Sequence, residues 1–98
     1  MKIYLKKFGT TLTSRQAGKE ALLAFRPSLV EFGTNKSIEI DFEGVVTFSP
    51  SWGDEFLTPL QKEFGKQLVL KNTGNSSVQA TLKLLDQINK VKSEAQSE

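Results

Sequence analysis

The chain has no cysteine and no histidine. Without cysteine there can be neither disulfides nor thiolate metal sites. Without histidine, the commonest metal ligand and the usual general base near neutral pH are both missing. Many hydrolase and transferase mechanisms are excluded, and any catalytic base would have to be a carboxylate, a lysine or a tyrosine. Long apolar runs are absent too. No stretch approaches a membrane span and the N-terminus lacks a signal-type apolar region, so a cytoplasmic protein without membrane contact is expected. Neither sign of charge dominates: thirteen basic and eleven acidic residues leave a net charge of +2. Nucleic-acid binding calls for a basic stripe with reading side chains. Lys2, Lys6 and Lys7 near the start and Lys83, Lys90 and Lys92 near the end read instead as solvated surface lysines. No helix-turn-helix pattern accompanies them, so direct nucleic-acid binding is not expected.

What is present is enough apolar sequence for a true core. Ninety-eight residues make one domain, 1–98, able to bury roughly two-thirds of its unfolded surface. No repeat, linker or low-complexity tract divides it, and the polar end from Ser93 to Glu98 is expected to fray. Lys2 to Phe8 reads as a strand, with Ile3 and Leu5 on one face and Tyr4 on the other. Gly9 to Leu12 is a connection. Thr13 and Gln16 suit a capping box ahead of a helix from Ser14 to about Phe25, with Ala17, Ala21, Leu22 and Phe25 at helical spacing. Pro27 should interrupt that helix, and Ser28 to Phe32 could form a further turn closed by Gly33, with Asn35 and Lys36 in a loop. Ile38 to Phe42 is a second strand. Val45 to Phe48 extends it or approaches the next helix, and Gly44 marks a bulge or tight bend. Trp52, Phe56, Leu57, Leu60 and Phe64 form the apolar stripe of a helix over Ser51 to Phe64. Pro59 should bend or break it and Gly65 close it. Gln67 to Lys71 is a third strand, Asn72 to Asn75 a turn, and Ser76 with Gln79 a second capping box. The last helix carries Val78, Leu82, Leu85, Ile88 and Val91.

Alternating strands and helices imply an α/β fold: a small, mostly parallel or mixed sheet with about three main helices. In such a fold the helix N-termini gather at the carboxyl edge of the sheet. Thr13 to Arg15, Ser49 to Glu55, and Asn72 to Ser77 should share one rim, and the candidate site is Ser14, Arg15, Ser49, Ser51, Asp54 and Glu55. Each has a structural reading beside the functional one. Ser51 could accept phosphate or hold an anion, because a helix N-terminus favours negative charge; alternatively Ser49 or Ser51 caps the helix, with Asp54 completing a box to Ser51. Asp54 and Glu55 either bind a partner's basic group or a metal, or simply complement the helix dipole. Arg15 pairs with them across the rim, binds a phosphate, or is solvated. Asp41 either caps a turn at the exposed end of its strand or is a polar site residue. Trp52 reads as core. The Gly74 to Ser77 turn lacks the glycine spacing and lysine-serine pair of a nucleotide-binding loop. No nucleophile pairs with Asp54 or Glu55, which argues against an enzyme, and no cofactor is implied.

The run from Asp41 to Phe56 (DFEGVVTFSPSWGDEF), with the Thr13-Ser14-Arg15 helix start before it and Leu68 to Asn72 (LVLKN) after it, resembles the STAS-like domains of unknown function. These are related to the STAS domains of sulfate transporters and anti-sigma factor antagonists. The likeness covers about Leu12 to Leu85. It implies a bacterial or phage regulatory module, with a kinase-like ATPase or a transcriptional regulator as partner and serine phosphorylation as a switch. In the antagonists the phosphorylated serine opens the corresponding helix within an Asp-Ser-small-Gly motif. Here Ser49-Pro50-Ser51-Trp52 stands instead, so Pro50 takes the acceptor's place and Ser51 follows one residue later. The expectation is a non-catalytic protein-binding module that switches partners by phosphorylation or anion binding at this helix start. A nucleotide- or small-anion-binding sensory domain is the alternative.

Overall fold

The computed structural model describes residues 1–32 and 37–96, with side chains over 1–29 and 37–89. In order, the elements are β1 (Lys2–Tyr4), a 3₁₀ turn (Leu5–Phe8), β2 (Thr11–Leu12), α1 (Arg15–Phe32), β3 (Ile38–Asp41), β4 (Thr47–Phe48), α2 (Pro50–Phe64), a 3₁₀ turn (Gly65–Gln67), β5 (Leu68–Lys71) and α3 (Ser76–Gln96). The main sheet has the order β1-β3-β5 and both of its pairings are parallel. A second, two-stranded parallel sheet joins β2 to β4. The fold is therefore α/β with parallel sheets and three helices, as the element order implied.

Period-two alternation sorts the main sheet into two faces. Ile3, Ile38 and Ile40 are buried on one face, where the half-buried Leu68 and Leu70 pack against the same core. Lys2, Tyr4, Glu39, Asp41, Val69 and Lys71 occupy the other. Helix α2 is the centre of the helical layer and packs on both α1 and α3. Its stripe of Trp52, Phe56, Leu57, Leu60 and Phe64 is buried as the spacing indicated. The rings of Phe42, Phe48, Trp52 and Phe56 follow one another through the core at centroid separations of 5.1, 5.9 and 4.9 Å.

Two glycines let the helices approach α2 at its first turn. A Cβ built on Gly18 of α1 would lie 2.6 Å from the Trp52 carbonyl oxygen, and one on Gly53 would lie 2.7 Å from Leu85 Cδ1 of α3. Neither glycine stood out in the sequence. Gly18 takes the core position expected for Ala17, which is exposed.

Several boundaries differ from the sequence reading. The first strand stops at Tyr4 because the chain turns into a 3₁₀ helix, which buries Leu5. The connection after Gly9 contains β2, which pairs with β4. Helix α1 continues through Pro27: the carbonyl that loses its donor belongs to Leu23 on the exposed face, where solvent has access to it. Pro59 likewise lies within an uninterrupted α2. Gly44 forms the expected tight turn at φ +83°, and Gly65 closes α2. Helix α3 continues to Gln96 where fraying was expected from Ser93. Its stripe includes the buried Thr81, while Ile88 is exposed. Gly33, Asn35, Lys36 and the side chain of Val91 lie outside the described residues.

Candidate functional site

The parallel arrangement brings the starts of α1, α2 and α3 to the carboxyl edge of the sheets, and each start is closed by its own side chain. At α1 the Ala17 N–H donates to Ser14 Oγ at 3.1 Å, so Ser14 is the cap rather than Thr13. At α2 the Trp52 N–H donates to Ser49 Oγ at 3.3 Å. The Ser49 hydroxyl in turn donates to the Thr13 carbonyl at 2.8 Å, tying the α1 and α2 starts together. At α3 the cap is Asn75, not Ser76: Asn75 Oδ1 accepts from the N–H groups of Ser77 and Val78 at 2.7 and 3.2 Å. Asn75 Nδ2 donates to the carbonyls of Val45 and Val46 at 3.2 and 3.1 Å, fixing the α3 start to the loop before β4. The Ser77 and Thr81 hydroxyls serve the backbone of Phe48.

Ser51 is placed differently from Ser14 and Ser49. Pro50 fills the first position of α2, and Ser51 the second. Its side chain is half-buried and makes no hydrogen bond among the described residues. The capping box from Ser51 to Asp54 does not form, because Ser49 holds the cap and Asp54 is engaged elsewhere. Asp54 and Glu55 lie three and four residues after Ser51, hence on its face of the helix. Arg15 reaches them from α1, with Nη1 at 2.8 Å from Glu55 Oε1 and 3.2 Å from Asp54 Oδ2. Those hydrogen bonds, Glu55's first and Asp54's second, hold the guanidinium above its usual pKa. Among the described residues only Nη1 of this guanidinium is engaged. Asp54 Oδ1 accepts from the Thr58 hydroxyl at 3.1 Å. The six candidate residues therefore do share one rim, with Arg15 bridging α1 to the two carboxylates of α2.

Asp41 does cap the turn after its strand, but from a buried position and not from an exposed end. It is 1% exposed, and its Oδ1 accepts from Asn72 Nδ2 and from the Glu43 N–H, both at 2.8 Å. Lys2 Nζ lies 3.3 Å from Oδ2. Together these hold the carboxyl below the usual aspartate value, the Asn72 bond contributing most. Asn72 adopts φ +56° to make its bond. Lys2 and Lys6 both lie over the Tyr4 ring, at 5.0 and 5.4 Å, so the N-terminal lysines are partnered within the chain. Among the described residues no acidic cluster is arranged to hold a metal ion, and no helix is long and apolar enough to cross a membrane.

A family model described as "STAS-like domain of unknown function (DUF4325)" matches residues 17–78, more than half of the chain. The chain belongs to this family. No curated protein and no solved structure matches it. The matched part of the STAS-like domain is shorter than the sequence resemblance at both ends. It includes Ser49, Ser51, Asp54 and Glu55, whereas Ser14 and Arg15 precede it.

Sequence reasoning missed Asn72, Asn75, Thr58 and Asn89 as parts of the polar framework. Asn72 was open to recognition: an asparagine just after a strand and two residues before a glycine suits a left-handed turn. Thr58 and Asn89 meet only across packed helices, which sequence spacing does not show.

Proposed function

We propose that this STAS-like domain is a non-catalytic regulatory module that binds a partner protein at the rim and is switched by phosphorylation of Ser51. The observation that carries this reading is the division of labour between the two serines. Ser49 caps α2, leaving the Ser51 hydroxyl uncommitted in the first turn. Asp54 and Glu55 are occupied by Arg15, and among the described residues no base is bonded to Ser51, which supports a recognition role for the rim over a catalytic one.

A phosphate at Ser51 would add a charge near −2 one helical turn before Asp54 and Glu55, whose side chains lean back toward it. It would repel both carboxylates and attract Arg15. A cluster of one guanidinium and two carboxylates, already weakly anionic, would become strongly so. The partner chemistry that reads such a change is a protein face bearing complementary charge, as on a kinase-like ATPase or a transcriptional regulator.

Affinity capture with wild type and Ser51→Glu, with phosphate mapping of the wild-type protein, tests the reading. It predicts phosphate on Ser51 and a protein retained by one form and lost by the other. Identical capture by both forms with unmodified Ser51 would sink it.

A further inference from the structure

The polar side chains of the rim continue inward. Arg15 Nη1 rests on Glu55 Oε1 and Asp54 Oδ2. The second oxygen of Asp54, Oδ1, accepts from the Thr58 hydroxyl at 3.1 Å, and Thr58 Oγ1 accepts from Asn89 Nδ2 at 3.2 Å. The run crosses from α1 through α2 to α3. It begins at a guanidinium side chain that is 56% exposed and ends in the α2–α3 seam. There, among the described residues, Asn89 Oδ1 is buried without any donor.

A hydroxyl has one proton. Thr58 gives it to Asp54, so it cannot also satisfy Asn89 Oδ1. A hydroxyl that donates to a carboxylate is the better acceptor for it, so the bond that seats Asn89 depends on Asp54 staying where Arg15 holds it. The orphaned carbonyl pulls the other way, because water would satisfy it if this part of α3 lifted from α2. The first half of α3 has no such balance. Val78 and Leu85 are buried there, and Ser77 and Thr81 are bonded to Phe48.

We propose that the rim and the α3 segment around Asn89 form one coupled unit: drawing Arg15 away from Asp54 loosens that segment through Thr58. Asp54 is the shared element, with one oxygen facing the rim and the other facing the seam. The coupling goes beyond the docking reading and does not depend on what binds at the rim. It would carry an event at Arg15 to the far side of α2, where Leu84 and Ile88 stand exposed one turn apart on α3.

Amide hydrogen exchange on the full chain tests this with Arg15→Gln, Thr58→Val and the double variant. Arg15→Gln should speed exchange at residues 86–90 by about fivefold or more, the lower end of ordinary coupling between sites, while the first turns of α3 keep their protection. Thr58→Val cuts the connection, so adding Arg15→Gln to it should change nothing further at 86–90. No effect of Arg15→Gln at these amides would overturn the proposal, and so would an undiminished effect in the Thr58→Val background. Should Thr58→Val fold poorly, Asn89→Leu replaces it. This change removes both the orphan and the connection, and should slow exchange at the seam and make it insensitive to Arg15→Gln. Persisting sensitivity would overturn the coupling equally.

Discussion

Asp41 follows Ile40 and precedes Phe42, both buried, yet its carboxylate is itself almost wholly enclosed. Burial alone would push a carboxyl toward its neutral form. Two hydrogen bonds at 2.8 Å and the nearby Lys2 ammonium outweigh it and lower the pKa from its usual value near 3.8. A depressed folded-state pKa contributes stability that is fully present above the unfolded value and is lost as pH falls through the folded one. Lys2 is raised from 10.5, by Tyr4 and by Asp41, so its share is present below the ordinary lysine value and lost as pH rises through the raised one. Asp41→Asn should therefore be clearly less stable than wild type at pH 7 in urea unfolding. The gap should close once the pH is taken below the depressed folded-state value and the wild-type carboxyl is protonated. A gap that stays constant between pH 7 and pH 2.5 would show that charge on Asp41 has no part in holding β1, β3 and the Asn72 turn together.

At the scale of elements, the three helices owe their arrangement to small contacts as much as to apolar stripes. Alanine in place of a helix-interior glycine ordinarily gains about 1 kcal/mol from propensity. At Gly18 the added methyl group would meet the Trp52 backbone at 2.6 to 3.2 Å, and a helix backbone cannot turn aside as a side chain can. Overpacking typically costs about 1–3 kcal/mol, so Gly18→Ala should be destabilising on balance, seen as a lower urea midpoint with an unchanged slope. A neutral or stabilised variant would mean that α1 can shift along α2 freely.

This contact also marks the limit of what was legible beforehand. The α2 stripe, the parallel sheet and the shared rim follow from apolar spacing and element order, which are local signals. The caps came out displaced by one residue at α1 and α3, because Thr13, Ser14, Asn75 and Ser76 are all competent caps and packing selects among them. Pro27 looked like a stop because sequence does not reveal that the Leu23 carbonyl faces water. β2 was overlooked because two residues paired to a distant strand carry no periodicity. The Arg15 bridge was open as one of three readings, whereas the path from Asp54 to Asn89 needs the packed helices to exist at all.

For the whole molecule, the capping pattern weighs in favour of the proposed partner binding over its alternative. Helix N-termini attract anions through unengaged N–H groups. Here Ser14, Ser49 and Asn75 occupy those of their own helices. Pro50 has no N–H, and the Gly53 N–H bonds the Ser49 carbonyl. The rim thus has few backbone donors left for a free phosphate, and the Arg15 guanidinium already leans on two carboxylates. A covalently attached phosphate does not need a ready-made pocket, whereas a dissociable nucleotide does. Ligand at a hundredfold excess over its Kd stabilises a fold by about 2.7 kcal/mol. For a domain of this size that amounts to a Tm rise of about 10 °C or more. Thermal unfolding with millimolar phosphate or nucleoside triphosphate should show no rise approaching this. A rise of that size that disappears in Arg15→Gln would move the rim's role from partner docking to anion sensing, since only an anion site that the caps leave open could produce it.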